Sequence, residues 1–416
     1  MKKIIAMLLA LVMVFALAAC GQSSAPAAPA ADAPAADAPA AEEPAAEEPA
    51  AAPAADLKVG FIFLHDENST YDANFMKAAR EACTALGLVE GETFLFKYPI
   101  PEGQECYDAA AELVDEGCNV IFADSFGHED YMIQAAMEFP EVQFCHATGT
   151  KAHTQGLPNY HNAFASIYEG RFLAGVAAGL KLNEMGETKI GYVGAFPYAE
   201  VVSGYTSFFL GARSVCPEAT MDVTYTYSWY DETLEKEGAE MLIQSGCKLI
   251  SQHADSWGAP SACEAAGVPN VSYNGSTVEA GPNTYIVASR INWEPYYTYV
   301  LNAVMNGEAI PADYTGTIAT GSVELFEVNE AVAAEGTVEK LAEVKAALED
   351  GSLKVFDTAT FTVNGEAVTS YLADVDDMGD FVGETEVIAD GYFHESEYRS
   401  APYFDLRIDG ITELGA

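Results

Sequence analysis

From residue 57 onward the chain alternates short apolar runs with helix-length stretches, and this alternation constrains its fold more than any other feature. Residues 57–64 (LKVGFIFL) read as a strand buried on both faces. Residues 71–86 read as a helix with Phe75, Ala78, Ala79 and Ala82 on one side. Strands at 93–98, 119–123 and 142–145 then interleave with helices at 106–116 and 130–138. Strands without polar alternation, separated by helices, belong to parallel sheets covered on both faces. The pattern restarts with a long helix at 168–182 carrying Gly170, Gly175 and Gly179. Strands follow at 189–193, 223–227, 249–252 and 270–273, with helices at 201–215, 232–244 and 257–266. Two such runs of similar size predict an α/β protein of two Rossmann-like lobes with parallel sheets. A strand at 284–288 and a helix at 293–305 are expected to cross between them. Beyond Asn329 a helix is expected at 339–348, and a hairpin at 360–370 around Asn364-Gly365, a type I′ turn pair.

The N-terminus predicts export. Lys2 and Lys3 precede an apolar run over residues 4–19, short for a membrane span and of the length of a secretory signal. The run closes on Leu17-Ala18-Ala19-Cys20-Gly21, which looks like a bacterial lipobox with Cys20 as the acylated first residue of the mature chain. Several acyl chains anchor a protein stably without a transmembrane helix. Residues 21–56 are almost wholly Ala, Pro, Asp and Glu with no basic residue, the composition of an extended tether. The expected organisation is signal peptide 1–19, lipidated Cys20 and tether 20–56, lobe 1 at 57–165, lobe 2 at 166–283, a crossover segment with its helix at 284–350, and an acidic extension with a hairpin at 351–416.

Charge narrows the partners. Asp and Glu number 63 against 19 Lys and Arg, a formal net charge of −44, which argues against nucleic acid. Seven cysteines remain after Cys20, scattered and with no C-x-x-C, so few or no disulfides and no zinc ribbon are expected. The chain has no G-x-S-x-G elbow, no G-x-x-x-x-G-K-[ST] loop and no H-E-x-x-H, and no pair of catalytic carboxylates stands out. His146, His153 and His161 match no metal-ligand spacing and read as hydrogen-bonded or surface histidines.

In open α/β sheets ligands sit beyond the carboxyl ends of the strands. Those ends here are HDENSTYDANF (65–75), DSFGHED (124–130), GAFPYAEVVSGY (194–205), YSWYDE (227–232), QHADSW (252–257) and YNGS (273–276). They mix aromatics, which can sandwich a flat ligand, with Asp, Asn, Ser and His, which can read its edge.

Five longer segments carry a resemblance: FADSFGHEDYMIQAAMEFPEVQFCHATG (122–149), IYEGRFLAGVAAG (167–179), GYVGAFPYAEVVSGYTSFFLGARSVCP (191–217), YSWYDETLEKEGAEMLIQSGCKLISQHADS (227–256) and NWEPYYTYVLNAVMNGE (292–308). Over residues 57–348 the chain resembles the basic membrane protein (BMP) family of lipoproteins, substrate-binding components of ABC importers. Its SFG, YEGR, SWYD, QHxDS and WxPYY elements are most similar to the branch associated with adenine and related purines. The resemblance implies a periplasmic-binding-protein type I fold and no enzymatic activity, cofactor or metal. It also implies capture of a purine base or nucleoside between the lobes for an ABC permease and ATPase, at the extracytoplasmic face of the membrane. Carried over by position, Tyr71 and Trp229 are the stacking aromatics. Asn74, Ser125, Phe126, Glu169, Asp255 and Asn274 face the cleft, and Trp293 lines the hinge side. The chain departs from the family in having ENSTYDANF where D-x-S-F-N is common. It also lacks an evident cleft lysine for ribose, with Arg290 only nearby, and this favours a free base. A sugar receptor on the same fold, a surface sensor without transport, and a nucleoside hydrolase are the competing readings.

Overall fold

The computed structural model describes residues 57–379 and 381–415; the signal peptide, Cys20 and the tether lie outside the described residues. The first lobe begins β1 (Val59–Ile62), α1 (Thr70–Ala85), β2 (Phe94–Lys97), α2 (Gln104–Asp115), β3 (Val120–Ala123), α3 (Glu129–Glu138), β4 (Gln143–Ala147), α4 (Ala152–Gln155) and β5 (Tyr160–Ala165). The chain then crosses into α5 (Ile167–Met185), β6 (Lys189–Gly194), α6 (Ala199–Val215), β7 (Thr220–Tyr225), α7 (Glu232–Gln244), β8 (Leu249–His253), α8 (Gly258–Ala266), β9 (Asn270–Tyr273) and β10 (Tyr285–Ile291). It returns through α9 (Glu294–Asn306) and β11 (Asp313–Gly316), and crosses again to β12 (Val323–Leu325) and α10 (Thr337–Glu349).

The first sheet has the order β11-β5-β4-β3-β1-β2, with every pairing parallel. The second runs β12-β10-β9-β8-β6-β7 and continues into a further edge strand; its one antiparallel pairing is β10 with β12. Strands β1 and β3 are buried at every position, as the unbroken apolar runs require. In each lobe the strand order reverses beside the first strand, between β1 and β3 and between β6 and β8. Crevices open at such reversals beyond the carboxyl ends of the strands.

Strand β5 (YHNAFA) carries no strand signature in the sequence, because His161 and Asn162 break its apolar run. Both are buried and matched: His161 pairs with Gln143 and the Pro311 carbonyl, and Asn162 donates to Asp313 at 3.0 Å.

The segment after α10 packs back on the lobes. It holds the two-residue ladders β13 (Leu372–Ala373) with β14 (Thr385–Glu386) and β15 (Ile388–Ala389) with β16 (Tyr392–Phe393). Phe356 stacks on Phe404 at 4.3 Å, and both join the main core. The last strand, β17 (Ile411–Glu413), extends the second sheet parallel to β7, and Glu413 accepts hydrogen bonds from Tyr205 and Tyr225 at 2.6 Å each. Ser400 ties the same segment to Asp313 of β11 through its backbone N–H at 2.6 Å. The hairpin expected at 360–370 reduces to its turn: Val363 and Glu366 exchange both hydrogen bonds around Asn364 and Gly365, each at positive φ, and the flanks form no strands. All seven described cysteines are free and buried.

Candidate functional site

A narrow cavity lies between the lobes at the carboxyl ends of both sheets. From the first lobe, Leu64 and His65 follow β1, Tyr71 sits in the first turn of α1, Ser125 and Phe126 follow β3, and Thr148 follows β4. From the second, Glu200 opens α6, Trp229 lies beyond β7, His253 and Asp255 are at the end of β8, and Tyr273 and Asn274 at the end of β9.

The walls are held from behind. The Tyr71 hydroxyl donates to the Asp124 carbonyl at 2.6 Å, fixing its ring beside Phe75. Ser125 donates to Glu102 at 2.6 Å, and Gly127 N–H reaches the same oxygen. Trp229 packs edge-on against Phe196, ring centroids 5.0 Å apart. Behind the second wall the fully buried Arg171 donates to the hydroxyls of Tyr192 and Ser251 at 3.1 and 2.8 Å, and its guanidinium faces the ring of Tyr273 at 5.0 Å. The two terminal nitrogens of that cation bond hydroxyls and carbonyls, and these hydrogen bonds link β6, through Tyr192, to β8, through Ser251.

The lobes touch across the cleft. Thr70 is the first residue of α1, so its N–H has no partner within the helix. It donates to the Asp255 carbonyl at 3.0 Å, and the Thr70 hydroxyl does so at 3.1 Å. Asp255 N–H in turn donates to the Trp229 carbonyl, coupling this latch to the aromatic wall.

Burial shifts two of the lining groups, Asp255 and His253, toward their neutral forms. Burial, reinforced by Glu235, Asp72 and Glu200, pushes the Asp255 carboxyl well above the usual range against the opposing effect of Asn274. This shifts it toward a form that donates as well as accepts. Burial also pushes His253 down, although Glu200 lies 3.4 Å from its Nε2.

His128 positions the Ser125 wall in a neutral form. Its Nε2 donates to the Ile100 carbonyl at 2.9 Å and its Nδ1 accepts from Ser125 N–H at 3.4 Å, a tautomer assigned from these partners. Burial pushes its pKa down to about 4. A histidine depressed in the folded state contributes stability that is full above the unfolded value of about 6.5 and is lost as pH falls toward 4, up to about 3 kcal/mol. Buried Glu235 and Glu395, lifted to about 7 chiefly by burial, tilt the opposite way. The test is therefore a comparison: urea titrations from pH 7 to 4.5 are expected to show a shallower loss of stability in His128→Gln than in the parent. Equal slopes contradict the assignment.

The cavity thus gathers Tyr71, Ser125, Phe126, Trp229, Asp255 and Asn274 of the expected residues. Three others lie elsewhere. Asn74 turns to the hinge, where its amide donates to the Ile291 carbonyl and accepts from Arg290 at 3.1 Å. Glu169 accepts the Ile318 N–H at 2.8 Å beside the crossing after β11, and burial lifts its carboxyl to about 7. Trp293 is core: it is buried and stacks on Phe75 at 4.3 Å. His65, Thr148, Glu200, His253 and Tyr273 line the cavity without having been singled out, although all but Thr148 lie within or beside strand ends named above. Among the described residues His146, His153 and His161 form no group that could hold a metal ion.

Residues 61–354 match the family model described as Bmp, ABC transporter substrate-binding protein PnrA-like. The chain belongs to the Bmp family. It is therefore a solute-binding receptor of an ABC transporter and not an enzyme, of a family that works outside the cytoplasm, binding small molecules for a permease and its ATPase. Among the described residues no helix is long and apolar enough to cross a membrane. The chain is 35% identical over 254 residues to a purine-binding protein of Brucella abortus, covering 60% of this chain and 69% of that one. It is 36% identical over 209 residues to a Haloferax volcanii protein named as a candidate ABC-transporter glucose-binding protein, covering 50% of this chain and 52% of that one. An ABC-transporter solute-binding protein of Conexibacter woesei shares the fold, with a TM-score of 0.60 at 20% identity over 72% of this chain and 98% of its own.

Proposed function

We propose that this Bmp-family receptor captures a purine base or nucleoside, with an adenine-like ring favoured, and that it is held at the outer face of the membrane by lipid on Cys20. The observation that carries the ligand reading is the make-up of the cavity. Tyr71 and Trp229 offer aromatic faces from opposite lobes, with Asp255, Asn274 and Ser125 around them to read a ring edge. The names of the Brucella abortus relative and of a nucleoside-binding relative from Lactococcus lactis, 24% identical over 205 residues, support it. Among the described residues no lysine or arginine lines the cavity, which suits an uncharged ring better than a phosphorylated one. Closure follows from contacts made to both lobes at once.

Mass spectrometry of the protein purified from its own membranes tests both halves. The ligand released on denaturation is expected to have the mass and the absorbance near 260 nm of a purine, and the mature chain to begin at an acylated Cys20. The Haloferax volcanii relative favours a second reading, a hexose, which stacks on the same aromatics but does not absorb there. A released hexose replaces the purine reading, and an unmodified N-terminus removes the anchor.

A further inference from the structure

Between residues 57 and 354, three non-glycine residues adopt positive φ: Thr148 at 72°, Tyr227 at 56° and Asn274 at 61°. All three follow the carboxyl ends of strands that point at the cleft, β4, β7 and β9. Thr148 and Asn274 share more than this. Both line the cavity, at 4% and 3% exposure, and each carries a polar side-chain atom, Thr148 Oγ1 and Asn274 Nδ2, without a partner at hydrogen-bond geometry, although the Asn274 amide lies near enough to Asp255 to lower its carboxyl. They also occupy equivalent places, since β4 is the fourth strand of the first lobe and β9 the fourth of the second.

Positive φ is tolerated by asparagine but is a true outlier for a β-branched residue. Such backbone persists only where its surroundings over-determine it, and it gathers at functional sites. The surroundings here do so. Thr148 N–H donates to Ala163, Gly149 N–H to the Asn162 side chain at 2.7 Å, and Thr150 and Lys151 N–H both to the buried carboxylate of Glu129 at 2.9 Å. On the other lobe Asn274 N–H donates to Ser289, and Gly275 N–H turns back to Tyr273 at 2.8 Å. A buried polar atom without a partner is costly, so strain and unpaired polarity are both held at the same two points.

We propose that Thr148 and Asn274 are a matched pair of specificity-determining residues, one per lobe, whose hydroxyl and amide are held ready for opposite edges of the ligand. The inference rests on the cleft being the ligand site, as proposed above. The ligand class it selects is a compact neutral ring carrying a hydrogen-bond acceptor toward Asn274 Nδ2, such as a ring nitrogen or a carbonyl, and a polar group of either sense toward Thr148. Both bonds form together only when the lobes are closed, so the pair favours the closed, loaded state.

The test reads ligand-free stability and affinity side by side. Thr148→Gly removes the hydroxyl and relieves the backbone; Thr148→Val removes the hydroxyl and keeps the branched shape. Both are expected to bind adenine about 10-fold more weakly by calorimetry, the effect of one lost hydrogen bond. Ligand-free Thr148→Gly is expected to melt no lower than the parent and by up to about 3 °C higher. A threonine that only packs would lose several degrees on truncation. Asn274→Gly is expected to behave in the same way. Melting several degrees lower for Thr148→Gly, or adenine affinity within twofold of the parent for both Thr148 variants, overturns the proposal. A parent that binds glucose and not adenine removes the purine reading alone. The pair is then judged by the same 10-fold criterion on glucose, where an unchanged affinity overturns it.

Discussion

Trp229→Ala is expected to weaken adenine binding by on the order of 30-fold, about 2 kcal/mol, while leaving the fold in place. The side chain is half-buried, edge-on to Phe196 and tilted against Tyr198, so the second lobe keeps its core without it. What the substitution removes is an apolar face at the cavity wall opposite the lobe that carries Tyr71. Stacking on an aromatic is worth about 1–3 kcal/mol per base. Trp229 also reaches the latch, because its carbonyl accepts the Asp255 N–H while the Asp255 carbonyl accepts from Thr70. None of those bonds uses the Trp229 side chain, so they survive truncation to alanine and the loss measures the ring rather than closure. Calorimetry with adenine checks it, with melting of the ligand-free protein as the control. Unchanged affinity would sink the stacking model, and a collapse in melting temperature would make Trp229 a core residue instead.

The division between what the residues announced and what they concealed is physical. Strands buried on both faces announce themselves, since nothing polar interrupts a run such as Val59–Ile62. Strand β5 concealed itself because its polar residues find partners about 150 positions later, Asn162 in Asp313 of β11 and His161 in the Pro311 carbonyl before it, and no local pattern records a partner that distant. The same holds for β17, which has meaning only beside β7. At the site, strand ends rich in aromatics and amides pointed to the cleft, and six expected residues do meet there. The three that do not were decided by tertiary neighbours. Asn74 is one helical turn from Tyr71 and shares its side of α1, but the backbone at Ile291 takes its amide. Trp293 has Phe75 beneath it. Thr148 was invisible for a different reason: its mark is a backbone angle, and threonine gives no hint of a left-handed conformation.

Gly175→Ala is expected to destabilise the protein by about 2–3 kcal/mol, although alanine is the better helix former by about 1 kcal/mol. Helix α5 is apolar on nearly every side because it lies between the second sheet and α6, and it meets α6 backbone against backbone at its glycines. A Cβ at Gly175 would stand inside the surface of the Phe208 carbonyl oxygen, one at Gly179 inside that of Ala212, and one at Gly211 of α6 inside that of Phe172. These obstacles are backbone, so no rotamer change relieves them; the helices must separate. Interiors are close-packed, so the separation reaches everything the two helices carry. On α5 that includes Arg171 and its hydrogen bonds behind β6 and β8; on α6 it includes Glu200 at the cavity wall. The propensity gain acts on one residue, whereas the clash displaces an entire interface, which is why the steric term wins. Urea denaturation of the ligand-free protein gives the stability change, and calorimetry with adenine is expected to show weaker binding as Glu200 moves. A gain in stability, the outcome at an exposed helical glycine, would show that α5 and α6 are not in backbone contact and would remove the support on which the second wall of the cleft rests.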